Sequence, residues 1–143
     1  MSGIKLGAII LPGLERSAGI ARQYVTALLA RAGYTAVHMQ DVVLLVSEVV
    51  TNAVVHTASS DPGGKVTIKV ALDGNRVYVE VTDDGSNEVP MPRAPDDLGT
   101  GGRGLWLVEA LSDSWGARME QGSTSVWMYV SLVKDGEGGC SFR

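Results

Sequence analysis

A single cysteine, Cys140, stands in the chain, so no disulfide can form within it. It sits in the glycine-rich stretch GEGGCSFR, where an incidental thiol is the plain reading. Such sparing use of cysteine fits a reducing cytosol. No apolar run approaches the ~18 residues of a membrane-spanning helix. The N-terminal run from Leu6 to Leu11 is too short for a signal sequence and follows a lone Lys5. Both lacks lead to the expectation of a soluble, cytoplasmic protein with no membrane association. Basic runs are missing as well: the 12 Lys and Arg are scattered and the formal net charge is −4. A nucleic-acid stripe has little support in that pattern. Aromatic residues make up only 6% of the chain, and Trp106, Trp115 and Trp127 among them read as core or interface residues.

What is present is apolar material. The 143 residues are 45% hydrophobic and 20% charged, which is enough for one core and argues against disorder. One domain over residues 1–143 is expected, with a loose tail at 134–143.

The stretch IKLGAIILPG, at 4–13, reads as a strand ended by Pro12-Gly13. From Glu15 to Ala32, Ile20, Tyr24, Ala27 and Leu28 recur at helical spacing, and Gly33 is a plausible C-cap. A second helix is expected from Thr35 to Val55, with Val42, Leu45, Val46, Val49, Val50 and Ala53 as its apolar face. After the turn cluster SSDPGG, the runs KVTIKVAL and RVYVEVT alternate with period two around Asp73-Gly74-Asn75. Val66, Ile68, Val70 and Leu72 share one face with Val77, Val79 and Val81, while Tyr78 and Glu80 point the other way. Residues 85–104 form a long loop rich in Pro and Gly, a length that is usually functional or mobile. A short helix closed by Gly116 is expected at 103–116, then an antiparallel pair. The order β, α, α, hairpin, loop, α, hairpin predicts an α+β two-layer sandwich: one mixed, mostly antiparallel sheet with helices on one face.

Three patches resist a purely structural reading. SEVVTNAVVH, at 47–56, sets Glu48, Asn52 and His56 four residues apart, which makes a polar stripe along an otherwise apolar helix. VTDDGS, at 81–86, ends a strand on Asp83 and lets the backbone turn at Gly85. LGTGGRGLWLVE, at 98–109, is a glycine-rich loop running into a helix, where free N–H groups can hold an anion. An acidic chain can bind a phosphate ligand this way, because backbone N–H groups supply the donors. The loop is neither a dinucleotide-binding fingerprint nor a P-loop, since no strand leads directly into it and it lacks the Gly-Lys-Ser/Thr ending.

Taken in order, E-x-x-x-N-A-x-x-H, D-D-G and G-x-G-L resemble the GHKL ATPases: gyrases, histidine kinases, heat-shock chaperones and mismatch-repair proteins. The resemblance covers roughly residues 5–133. It implies the Bergerat (HATPase) sandwich, whose element order matches the one read above. LLVSEVVTNAVVHT and GRGLWLVEALSDSWG are most similar to the stand-alone bacterial anti-sigma-factor serine/threonine kinases and to small actinobacterial ATP-binding regulators.

The resemblance assigns roles. Asn52 matches the Mg²⁺ ligand, with ATP phosphates completing the coordination. Glu48 matches the general base for an attacking hydroxyl. His56 matches a position close to the phosphates or the lid. Asp83 matches the acceptor for the adenine amino group, and Gly85 lets the chain pass close to the base. Gly102 and Gly104 match the phosphate loop, followed by Arg103 and Leu105 through their N–H groups. Thr124 or Ser125 resembles the hydroxyl that helps Asp83 hold adenine. Two departures stand out. Asn87 replaces a second glycine of many family members, and the lid at 86–101 contains no lysine.

Two functions follow as expectations. One is a Mg-ATP-dependent serine/threonine kinase acting on a small, STAS-like anti-sigma-factor antagonist and holding a sigma factor. The other is a non-catalytic partner switch that binds ATP. Direct nucleic-acid binding is not expected, and a homodimer is suggested by the resemblance alone. Glu15, Arg16 and Arg22 begin a helix that resembles the family's partner-binding region. A solvated helix face explains them equally well.

Overall fold

The computed structural model describes residues 3–56, 63–85 and 103–132. Gly102, the lid at 86–101 and the tail at 134–143 lie outside the described residues. The chain runs β1 (Ile4–Pro12), α1 (Ser17–Arg31), α2 (Gln40–His56), β2 (Lys65–Asp73), β3 (Arg76–Asp83), α3 (Arg103–Leu111), β4 (Ser114–Glu120) and β5 (Ser123–Ser131). The strands form a 5-stranded sheet in the order β1-β2-β3-β5-β4, and every adjacent pair is antiparallel. The α+β two-layer sandwich is therefore as expected, with a sheet more uniform than the expected mixed one.

Period-two alternation decides which face is buried. In the sheet register, Val70, Val79 and Met128 lie side by side, as do Ile68, Val81 and Val126. All of them are buried, and they meet Val42, Leu45, Val46, Val49, Val50 and Ala53 of α2 in one core. Each such valine or leucine contributes about 1.5–3 kcal/mol when fully buried. The opposite face carries Lys69, Tyr78, Glu80, Trp127 and Tyr129 and has no helix over it among the described residues.

Helix α1 packs differently from its apolar spacing. Its buried residues are Ser17, Ala18, Ala21, Val25 and Leu29, while Ile20 is exposed. Tyr24 and Leu28 instead lie over Gly7 of β1, where a Cβ would run into the Tyr24 hydroxyl and touch Leu28. The Tyr24 hydroxyl donates to the Ala8 carbonyl at 3.1 Å, which fixes the helix at that close approach. Arg22 then donates to the Ser47 hydroxyl at 3.0 Å, so α1 is tied to α2 one residue before Glu48. Gly33, at φ 100°, ends α1 as expected: Tyr34 N–H reaches Leu29 O at 3.1 Å and Gly33 N–H reaches Ala30 O at 3.0 Å.

Two hairpins set the register. Asp73 pairs with Arg76 across Gly74-Asn75, with Gly74 at φ 65°. Glu120 pairs with Ser123 across Gln121-Gly122, at φ 44° and 84°. Positive φ at both central residues makes the Gln121-Gly122 turn type I′, while positive φ at Gly74 alone is the type II′ pattern; both match strand twist.

Gly116 does not close a helix, contrary to the sequence expectation. Helix α3 stops at Leu111, and Gly116 lies inside β4 opposite Trp127. A Cβ at residue 116 would sit 2.5 Å from the Trp127 ring. The glycine is there to let an indole lie across a strand, and a side-chain-free position reads like a helix stop when only the sequence is seen. Gly116→Ala should therefore destabilise the fold by roughly 1–3 kcal/mol, by forcing the indole to move. Urea denaturation followed by tryptophan fluorescence measures this, and an unchanged midpoint would contradict the packing.

Candidate functional site

The polar residues are placed by the alternation that builds the core. Asp83 is the last residue of β3 and continues the row Val77, Val79, Val81. It therefore faces the helices rather than solvent. Its register partner on β5 is Thr124, which continues the row of Val126 and Met128. Asp83 is 6% exposed and Thr124 is 4% exposed, so a carboxyl and a hydroxyl stand side by side at the end of an apolar face. The next residue of each pair alternates outward: Thr82 and Ser125 share a hydrogen bond of 2.8 Å on the open face. Of the two hydroxyl residues expected near the base, Thr124 is thus the one beside Asp83 on the helix side.

Gly85 closes this corner. It is buried, its φ is +87°, and its N–H donates to Asp83 Oδ1 at 2.6 Å. A Cβ here would collide with the carbonyl of Gly122 in the β4–β5 turn. The Asp83–Gly85 turn and the Gln121-Gly122 turn are in backbone contact, which only glycine permits at this φ.

On α2, Glu48 and Asn52 lie one turn apart and both are half-buried. His56 is the last residue of α2, and its side chain lies outside the described residues. Arg103, Gly104 and Leu105 form the first turn of α3, as expected for a glycine-rich loop that feeds a helix N-terminus. Their side chains, Gly102, Asn87 and Arg93 lie outside the described residues.

Burial drives the electrostatics of Asp83. Desolvation raises its pKa to about 6; the Gly85 and Thr124 N–H groups pull it down, and the neighbouring Asp84 pushes it up. The folded chain thus holds this proton more tightly than the unfolded chain does. Folding stability falls as pH rises from about 4 to about 6 and is level above that. Ionised Asp83 costs on the order of 2–3 kcal/mol at neutral pH. A buried carboxyl with a raised pKa, set beside a hydroxyl, marks a candidate ligand-binding group.

The donor set also limits what metal the site can take. Among the described residues, no group of three or more His, Cys, Asp or Glu gathers that could hold a metal alone. Asn52 offers one neutral, hard oxygen. That suits Mg²⁺ arriving with phosphate oxygens already on it.

The open face carries residues the sequence did not single out. Glu80 is 9% exposed, accepts from the Tyr78 hydroxyl at 2.8 Å, and pairs with Arg118 at 2.9 Å. Burial, then the bond to Glu80, pushes the Tyr78 hydroxyl up to about 12, so it remains a donor at neutral pH. A polar concavity of about 670 Å³ opens there over Thr82, Ser123 and Ser125. It lies on the opposite side of the sheet from Asp83 and contains none of the expected site residues except Ser125.

This two-layer sandwich, with its helices on one face of the sheet, is the fold of an ATPase-type class of domain. The chain belongs to the histidine kinase-like ATPase domain family, whose profile matches residues 11–130. It is 32% identical over 125 residues to the serine-protein kinase RsbW of Bacillus subtilis (strain 168), covering 80% of this chain and 78% of that protein. It is 28% identical over 130 residues to an anti-sigma F factor of Anoxybacillus flavithermus, covering 85% of this chain and 86% of that one. Among solved structures, the RsbU and RsbW domains of Rv1364c from Mycobacterium tuberculosis share the fold. The TM-score is 0.67 at 24% identity, over 90% of this chain and 33% of the longer one.

Replacing Asp83 by Asn removes the buried charge and keeps an acceptor for the Gly85 N–H. The variant should melt at or above the wild-type temperature at pH 8. Its stability should also lose most of the change between pH 4 and 6. Differential scanning calorimetry across that range would show the opposite ordering if Asp83 stabilised the fold.

Proposed function

We propose that the protein is an ATP-binding regulator of the anti-sigma-factor type, a serine/threonine kinase that phosphorylates a small STAS-like antagonist protein. The buried Asp83 carboxylate on the helix side of the sheet, costly to the fold and beside Thr124, carries this reading. Family membership and the two kinase and anti-sigma relatives support it.

In this reading Asp83 accepts from the exocyclic amino group of adenine, and Thr124 assists through its hydroxyl. A guanine would present a carbonyl to the same acid, so ATP is preferred over GTP. Gly85 brings the backbone close to the base. Asn52 would hold Mg²⁺ through its amide oxygen, and the ion would neutralise charge on the nucleotide phosphates. The first turn of α3, with Gly102, Arg103, Gly104 and Leu105, offers N–H groups to the phosphates, and His56 lies near them. Bound Mg-ATP supplies the γ-phosphoryl group. Glu48 takes the proton from the serine hydroxyl of the partner as that oxygen bonds to the γ-phosphorus, and the bond from that phosphorus to the β–γ bridging oxygen breaks so that ADP leaves. Phosphoryl transfer requires little beyond position and charge neutralisation, which this set of residues can supply. A sigma factor as a second partner, and a homodimer as the working state, belong to the same proposal.

A non-catalytic switch is the second reading. The absence of lysine at 86–101 favours it, because no ammonium there can reach the γ-phosphate.

Calorimetric titration separates binding from its absence. ATP should bind in the presence of Mg²⁺ and GTP should not, and Asp83→Asn should weaken ATP about 10- to 100-fold, the worth of a charged hydrogen bond. Affinity should also drop as pH falls through about 6. A folded wild-type protein that ignores millimolar ATP would end the proposal. Glu48→Ala should retain binding and lower phosphate transfer to a STAS-like substrate by about 10²–10⁴-fold. Partner regulation that survives this substitution intact would select the switch instead.

A further inference from the structure

Met119 has no role in any of the motifs, yet the sheet register puts it in the site. Asp83 pairs with Thr124, and Thr124 pairs with Met119 on β4. The three residues form one row across β3, β5 and β4. Their side chains share the helix-facing side, because Trp115, four residues earlier on β4, packs against the core. Two strand spacings separate Asp83 from Met119, about 9.5 Å. At one end the carboxyl is 6% exposed, and in the middle the threonine is 4% exposed. At the other end Met119 is 47% exposed, although it is a large apolar side chain.

The surroundings make this row a made place rather than a frayed edge. The Gln121-Gly122 turn that follows Met119 is a tight type I′ turn, and its Gly122 carbonyl abuts Gly85. The same backbone contact therefore fixes Asp83 and the strand that carries Met119. An acid that can accept a hydrogen bond and an apolar side chain thus stand at opposite ends of one row of the sheet.

We propose that Met119 is the apolar wall of the base subsite, against which the purine packs while its amino edge meets Asp83. This rests on the ATP reading given above. The thioether suits that role because it is flexible and polarisable, and its contact with an aromatic ring is favourable. Met119 acts on binding of the base and not on phosphate transfer. Its loss should therefore weaken ATP, ADP and adenosine by similar factors.

Two experiments test this. In wild-type protein, dilute hydrogen peroxide should convert Met119 to its sulfoxide, while Met39 and Met128, at 3% and 0% exposed, remain as internal references. Saturating ATP should slow oxidation of Met119 at least about threefold, and GTP should not. In parallel, Met119→Ala should weaken ATP and adenosine by about 5- to 20-fold, as expected for part of a methionine side chain buried on binding. Met119→Leu should restore most of that loss. Melting temperature controls for folding. Unchanged oxidation under saturating ATP, or ATP affinity unchanged in Met119→Ala, overturns the assignment while the ATP reading stands. Wild-type protein that does not bind ATP overturns both, and the Asp83→Asn titration then shows no difference either.

Discussion

Everything in this molecule depends on helix α2 having to do two things with one surface. It buries Val42, Leu45, Val46, Val49, Val50 and Ala53 against the sheet, and these residues are the centre of the core. It also carries Glu48 and Asn52, half-buried, one turn apart. A helix with 3.6 residues per turn can do both, because an i, i+4 stripe occupies a narrow arc beside a broad apolar one. The polar stripe is therefore a strip at the margin of the core, made of groups that the packing leaves polar. Rigid placement comes with that arrangement, since neither Glu48 nor Asn52 can shift far without moving a packed helix.

The sheet contributes by the same logic. Alternation forces Val81 and Asp83 to one face and Thr82 to the other. A hydrophobic row that ends in an acid has then to keep that acid out of water, and the raised pKa of Asp83 records the cost. Thr124 is brought alongside by the antiparallel pairing of β3 with β5, although 41 residues of sequence separate the two, counting from 83 to 124. Gly85 and Gly122 complete the corner by removing the side chains that would hold the two turns apart. Each of these residues is ordinary by itself. The chemistry comes from a pairing register that sets them in one row.

Much of this is legible in the sequence. The β2–β3 hairpin is, because KVTIKVAL and RVYVEVT alternate strictly and Asp73-Gly74-Asn75 can only turn. So is the stripe on α2, because polar residues at fixed spacing stand out in a valine-rich run. The face of α1 is not. Ile20 and Ala27 have the right spacing, but Tyr24 and Leu28 lie over Gly7 of β1, and the face that enters the core is Ser17, Ala18, Ala21, Val25 and Leu29. That approach is a tertiary fact and leaves no periodic trace. Gly116 fails for a related reason: a glycine needed under an indole and a glycine needed at a helix end look alike until the strand pairing is known. Met119 is hidden too, although a signal exists. The turn at Gln121-Gly122 fixes β4 against β5, and counting back from it sets Met119 opposite Thr124.

The two faces of the sheet then show how the fold can separate duties. On the helix side, the end of β3 and the start of β5 hold an acid and a hydroxyl in a dry corner. On the open side, the residues one position away, Thr82 and Ser125, bond to each other, and Glu80 is satisfied by Tyr78 and Arg118. These polar groups of the open side are thus paired within the sheet, and the Glu80 charge is neutralised locally. Asp83 is different in kind: backbone N–H groups reach it, yet its burial still raises its pKa, so its ionised form is under-compensated. A buried acid of this kind is a candidate for compensation by a ligand, which the paired groups of the open face do not need. The contrast between these neighbours, on opposite faces of the same strands, is the strongest physical reason to put the nucleotide under the helices and not on the open sheet.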